Sequence, residues 1–148
     1  MKTLQEGTST RRPELSPVYT GQATAPHGHY AQAIVTGDTV YVSGLLGNSL
    51  REHIDARRDM ATQAAHCMDQ LEAILDEADS APDLIVKLSV FVSDVDDWAS
   101  ADGVLGERFG QHRPARIVVP TGTPLRYGSQ IEIDAIALKR SYFDRSRS

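Results

Sequence analysis

The chain has 148 residues, of which 41% are hydrophobic and 24% are charged. This composition is typical of one globular domain and excludes a disordered, collagen-like or disulfide-dense chain. The formal net charge of -5 argues against broad binding of nucleic acids, which needs a clustered basic surface.

The two ends of the chain are polar and contain proline, serine and arginine. We therefore expect a flexible N-terminal arm over residues 1–26, one domain over residues 27–140 and a flexible tail over residues 141–148. The first residues include no apolar run, so we expect a cytoplasmic protein with neither a secretory signal nor a membrane anchor. The single cysteine, Cys67, has no partner for an internal disulfide, and its place on an apolar helical face favours a buried thiol over a reactive one.

The domain begins with two β-rich runs, residues 30–35 and 39–44, joined by a turn that contains Gly37. This pattern predicts a β-hairpin. Over residues 56–78, apolar side chains are spaced as on one face of a helix, so a long amphipathic helix is predicted there. Pro82 blocks its continuation.

Residues 84–92 are strongly β-branched and predict a strand buried on both faces, with Val86 and Leu88 on the same face. The remaining predicted elements are a shorter helix over residues 98–109 and strands near residues 115–119 and 130–138. The predicted order is therefore ββαβαββ.

Strands separated by helices of this length run parallel through right-handed crossovers. Because the hairpin is antiparallel, we expect a single α/β domain with a mixed β-sheet. Two such crossovers place both helices on one face of the sheet. The other face also carries apolar residues and would form a large hydrophobic patch, so we expect self-association to cover it.

Five segments of the chain, in their order and spacing, resemble the RidA/YjgF family of reactive-intermediate (enamine/imine) deaminases. The resemblance covers about residues 26–140, and the Pro-Ala-Arg segment together with the last strand is its most specific part. The five segments are residues 29–33 (HYAQA), 37–44 (GDTVYVSG), 91–94 (FVSD), 113–116 (RPAR) and 131–137 (IEIDAIA).

The resemblance implies a chorismate-mutase-like fold that assembles as a homotrimer with a cleft between neighbouring subunits. It also implies hydrolytic deamination of 2-imino or 2-enamino acids to 2-oxo acids and ammonia, without a cofactor. Arg116, which follows Pro-Ala, corresponds to the arginine that anchors the substrate carboxylate in this family. Glu132 occupies the family's glutamate position, and Tyr30 stands where a tyrosine usually lines the cleft.

The residue types at these positions suit imine hydrolysis. The guanidinium of Arg116 matches a carboxylate through two parallel hydrogen bonds, although a surface salt bridge is an alternative role. Glu132 can deprotonate the attacking water, with Asp134 at i+2 as its support or its competitor. The Tyr30 hydroxyl can hydrogen-bond the substrate, unless the ring only packs. The other residues expected to bind substrate are Ser43, Gly44 and Val118.

Several positions depart from the family pattern and favour a substrate other than the usual small imines. They are His29, Leu45, Asp102, Val118 and the loop over residues 120–128. The alternatives are therefore a pathway-specific deaminase acting on a 2-aminomuconate-like substrate, and a non-catalytic trimer that binds 2-oxo acids. A ribonuclease role, attributed to some family members, fits the acidic charge least. His27 and His29 are spaced like metal ligands, but no Cys/His/Asp cluster completes a zinc set, so no metal is expected.

Overall fold

The computed structural model describes residues 14–48 and 59–147. The elements in chain order are β1 (Ser16–Val18), β2 (Ala33–Thr36), β3 (Thr39–Leu46), α1 (Met60–Glu77), β4 (Ile85–Val92), α2 (Trp98–Phe109), β5 (Ala115–Pro120), β6 (Ile131–Leu138) and α3 (Arg140–Arg145). Residues 1–13 of the predicted arm and residues 56–58 of the predicted first helix lie outside the described residues.

The strands form one sheet in the order β1-β2-β3-β6-β4-β5. The neighbours β4 and β5, which α2 connects, run parallel, and the other four neighbouring pairs are antiparallel. The sheet is therefore mixed, as the sequence predicts.

The predicted order ββαβαββ lacks two short elements. β1 pairs with β2 at the edge of the sheet, with Ser16 opposite Val35, and α3 lies in the predicted C-terminal tail. Three residues around a proline carry no strand periodicity, so only their pairing with β2 reveals β1. The division of the chain at residues 27 and 140 stays a prediction.

One face of the sheet holds the core, and α1 packs against it. The Cys67 thiol of α1 donates to the Leu45 carbonyl of β3 at 3.3 Å, and burial raises the pKa of this thiol, as expected for an unreactive cysteine. Arg108 of α2 bonds Asp69 at 2.7 Å and Glu72 at 3.1 Å, both on α1. Side chains that alternate along β6 contribute to the core; they are Ile131, Ile133, Ala135 and Ala137.

The opposite face of the sheet, the uncovered face, carries apolar side chains that no other element of residues 14–48 and 59–147 covers. Tyr41 of β3 is 48% exposed and Ile117 of β5 is 49% exposed. Glu132 and Asp134 of β6 lie on this face too, because they alternate with the buried core residues of that strand. An uncovered apolar surface is what the sequence predicts, whereas the homotrimer stays a prediction.

The predicted alternation along β4 is wrong at its start. The register against β6 shifts between Ile85 and Lys87, so Ile85 is buried and Val86 is 49% exposed. An extra residue at a bulge reverses which side chains face the core, and the sequence pattern alone does not mark its position. Leu88 therefore faces the core, whereas Val86 faces away from it.

Candidate functional site

A cavity of about 350 Å³ opens beside the irregular end of β3. It brings together four of the residues that the sequence singles out, Tyr30, Ser43, Gly44 and Glu132. Its volume lies within the range of small-ligand pockets. Further residues that line this site cavity are Thr24, His27, Leu45, Asn48, Gln70, Arg126 and Tyr127.

The position of Glu132 depends on a glycine in the neighbouring strand. The pairing of β3 with β6 shifts register between Val42 and Leu45, which leaves Gly44 at the irregularity. A Cβ atom on Gly44 would lie 3.1 Å from Cδ of Glu132 and closer still to its Oε1. The carboxylate therefore occupies the space that only a glycine leaves open.

The Glu132 carboxyl has a pKa raised above its ordinary value. Partial burial is the largest cause, the charge of Asp134 adds to it, and the positive charge of Arg126 opposes it. A raised pKa makes the carboxylate a stronger base, which suits abstraction of a proton from water. Asp134 lies on the same face, two residues along β6, as the sequence predicts.

Tyr30 and Ser43 differ in how free their hydroxyl groups are. Tyr30 lies in the bend before β2, is 46% exposed and lines the site cavity. The Ser43 hydroxyl donates to the Ala31 carbonyl at 2.6 Å, so its proton is engaged and its oxygen can still accept. Tyr30 is therefore the better placed donor for a ligand.

Two buried glutamines build one wall of the site cavity. The side-chain amide of Gln32 donates to the carbonyls of Thr20 at 3.2 Å and Thr24 at 3.0 Å. Gln70 of α1 accepts from the Thr24 N–H at 3.2 Å and donates to the Leu46 carbonyl at 3.1 Å. Part of the predicted N-terminal arm therefore belongs to the site. A glutamine on the buried face of α1, which holds both Gln63 and Gln70, was the available sequence signal.

The loop between β5 and β6 contributes a cation that the sequence reasoning missed. The Arg126 guanidinium lies over the Tyr127 ring, 4.8 Å from its centroid, and the His27 ring meets Tyr127 edge-on at 6.1 Å. Tyr127 has φ of 58°, a left-handed conformation that is uncommon outside glycine. The only warning in the sequence was that this loop departs from the family pattern.

Arg116 and Val118 do not line the site cavity of the same chain. Arg116 lies opposite Leu88 and Val118 opposite Val90, so both face the helices, whereas Glu132 lies on the uncovered face. Arg116 forms an ion pair with Asp102 of α2 at 2.6 Å. Its guanidinium also lies 4.9 Å from the centre of the Trp98 ring. Their substrate-binding roles stay predictions.

Within residues 14–48 and 59–147, no group of three or more His, Cys, Asp and Glu side chains is arranged to hold a metal ion. In those ranges no helix is both long and apolar enough to cross a membrane.

Comparisons with known proteins agree with the resemblance in the sequence. A family model described as Endoribonuclease L-PSP matches residues 20–139. A RutC family protein of Pyrococcus abyssi is 32% identical over 122 residues, which cover 82% of this chain and 95% of that protein. A 2-iminobutanoate/2-iminopropanoate deaminase of Dermatophagoides farinae is 26% identical over 121 residues, covering 82% of this chain and 94% of that protein.

The fold also matches that of a solved member of this family. The crystal structure of RidA from an Antarctic Psychrobacter species superposes with a TM-score of 0.75 at 31% identity, covering 83% of this chain and 98% of that chain. Sequence and structure therefore match over most of the chain. The chain belongs to the Endoribonuclease L-PSP family, the group that includes the RidA, YjgF and RutC proteins.

Proposed function

We propose that this protein is an imine/enamine deaminase that converts 2-imino or 2-enamino acids and water into 2-oxo acids and ammonia. The observation that carries the proposal is Glu132, a half-buried carboxylate with a raised pKa, held against Gly44 in the site cavity. The name of the mite relative, a deaminase of such imines, supports the same reaction.

In the proposed reaction, Glu132 takes a proton from water as the oxygen bonds to the carbon of the C=N group. Glu132 returns this proton to the nitrogen, which gives a tetrahedral carbinolamine. The hydroxyl proton of the carbinolamine then passes to the nitrogen as the C–N bond breaks, so ammonia leaves as the C=O bond forms. A 2-enamino acid first takes a proton on carbon and becomes the imine. The hydroxyl of Tyr30, a residue that lines the site cavity, hydrogen-bonds the substrate. Proton transfer of this kind contributes about 10²–10⁴-fold to rate, and the steps need no cofactor.

Arg116 enters this proposal through a neighbouring subunit. Its guanidinium lies outside the site cavity of its own chain, and the uncovered face gives neighbouring chains an apolar surface to bury. We propose that a homotrimer covers this face and that β5, an edge strand of the sheet, brings Arg116 and Val118 of one subunit to the cavity of the next. Arg116 then holds the carboxylate beside the C=N bond through paired hydrogen bonds.

The decisive experiment is ammonia release from freshly generated 2-iminobutyrate and from 2-aminomuconate, with Arg116→Ala and Glu132→Gln beside the wild type. Arg140→Ala is the matched control, because Arg140 pairs with Asp76 at 3.5 Å, away from the site cavity. We expect both site variants to lose most of kcat/KM and the control to keep it. A wild-type rate no higher than in buffer on both compounds would overturn the proposal.

The choice of compound separates the narrower alternatives. Turnover of 2-aminomuconate with poor activity on 2-iminobutyrate would identify a pathway-specific deaminase, which the departures at His29 and Leu45 suit. Binding of 2-oxobutyrate without turnover of either compound would identify a regulatory trimer. The formal net charge of -5 gives no support to RNA cleavage. The cytoplasmic location stays a prediction.

A further inference from the structure

Arg126 differs from most of the other described arginines in the groups that it contacts. Within the described part of the chain, four arginines form ion pairs with acidic side chains; they are Arg108, Arg116, Arg140 and Arg145. Arg126 forms no such pair there and contacts the Tyr127 ring instead. It lies exposed at the rim of the site cavity, where its donors are available to an anion.

Backbone hydrogen bonds within the loop fix the position of Arg126. The Leu125 N–H donates to the Ser129 carbonyl at 2.8 Å, and the Ser129 N–H donates to the Arg126 carbonyl at 3.2 Å. Ser129 is fully buried, and its hydroxyl accepts from the Gly47 N–H at 2.9 Å. Together with the stacking on Tyr127, this anchoring restricts where the guanidinium can point, so less freedom is lost when it binds a ligand.

Arg126 and Glu132, the proposed base, face the same cavity. The charge of Arg126 reaches Glu132 strongly enough to oppose the rise of its pKa, and both side chains line the site cavity. A substrate whose imine carbon lies at Glu132 therefore presents its remaining atoms within the field of a cation. A guanidinium selects planar anions that accept two hydrogen bonds, above all carboxylates.

We propose that Arg126 forms a second anion subsite, which binds a carboxylate at the far end of the substrate and makes dicarboxylic 2-imino or 2-enamino acids the preferred substrates. This inference rests on the proposed deaminase function. Arg116 of the neighbouring subunit takes the carboxylate beside the C=N bond, and Arg126 takes the distal one. A substrate with an uncharged end leaves Arg126 without its anion.

The test is a ratio of specificities. We would measure kcat/KM for 2-iminosuccinate and 2-iminoglutarate, each divided by kcat/KM for 2-iminobutyrate, in the wild type, Arg126→Gln and Arg126→Lys. We expect a wild-type ratio above one for at least one dicarboxylate. Arg126→Gln should lower that ratio about five- to tenfold, between the effect of an exposed ion pair and that of a charged hydrogen bond. Arg126→Lys should restore part of it.

Arg140→Gln removes the same charge away from the site cavity, and the ratio should stay as in the wild type. Any effect of Arg126 on folding or on Glu132 acts on all the imines and cancels in the ratio. A ratio that changes less than about twofold in Arg126→Gln, or equally in Arg140→Gln, would overturn the subsite while leaving the deaminase function intact.

If the wild type turns over none of these imines, the deaminase proposal fails and the subsite is still decided by binding. Calorimetric titration with 2-oxoglutarate and 2-oxobutyrate then separates the two ideas. Tighter binding of 2-oxoglutarate that Arg126→Gln abolishes would support an anion subsite at Arg126. Equal affinity for the two compounds in the wild type would reject it.

Discussion

Replacement of Gly44 by alanine tests whether Glu132 must rest against the backbone of β3. The added Cβ would lie 3.1 Å from Cδ of Glu132 and closer to its Oε1, whereas carbon atoms in contact normally lie about 3.5–4.0 Å apart. Cδ of Glu132 must therefore move by roughly 0.4–0.9 Å, and Oε1 must move further. Gly44 does not have a positive φ, so alanine introduces no backbone strain there.

The expected result is a loss of rate without a loss of folding. Misplacement of a reacting group by about 1 Å lowers rates on the order of 10²-fold, so Gly44→Ala should reduce kcat for imine hydrolysis about 10- to 100-fold. The atoms it displaces belong to the end of a flexible side chain, so Tm should change little. Steady-state ammonia release and thermal unfolding measure the two quantities.

Gly106→Ala is the matched control, because a Cβ on Gly106 in α2 meets nothing within 4 Å. This variant should keep kcat, and its Tm should not fall, since alanine is favoured over glycine inside a helix. Light scattering should find wild-type assembly for both variants. A correctly assembled Gly44→Ala protein with wild-type kcat would refute the dependence of catalysis on this contact.

Three further predictions concern the charges of the site and the uncovered face. Asp102→Asn releases Arg116 from an ion pair whose side chains are 50% and 37% exposed. Such exposed pairs contribute about 0.2–1 kcal/mol, so the KM for carboxylate substrates should fall by up to about fivefold. A higher KM would contradict the role of Arg116. Glu132→Gln should lower kcat about 10²–10⁴-fold. Because folding raises the pKa of Glu132, the ionised carboxylate destabilises the folded state. The glutamine variant should therefore match or exceed the wild-type Tm at pH 7, and the difference should fade at acidic pH. A lower Tm of this variant at pH 7 would show that the ionised carboxylate stabilises the fold instead. Ile117→Asp places a charge on the uncovered face and should give a folded monomer by light scattering, whereas a wild-type trimer in this variant would locate the interface elsewhere.

Local periodicity made much of the site's framework predictable. The 3.6-residue spacing of apolar side chains fixes the inner face of α1 and buries Cys67. The period of two along β6 puts Glu132 and Asp134 on one face. Both inferences depend only on neighbours in the sequence.

Bulges and loop conformation were beyond this reasoning. The register shifts at Val86 and at Gly44 arise from pairing with β6, a strand distant in the sequence. Arg126 lines the site cavity from a loop whose backbone includes the left-handed conformation of Tyr127. No repeating pattern of residues encodes either feature.

The sequence by itself determined the family, the main helices and strands, and four residues of the site cavity. The tertiary structure alone decided that Glu132 rests against Gly44, that Arg126 joins them, and that Arg116 faces away from the cavity of its own chain. The physical reason is that side-chain periodicity is a property of one element. The meeting of residues on β3, β6 and a loop depends instead on strand order and register, which only long-range hydrogen bonding and packing establish.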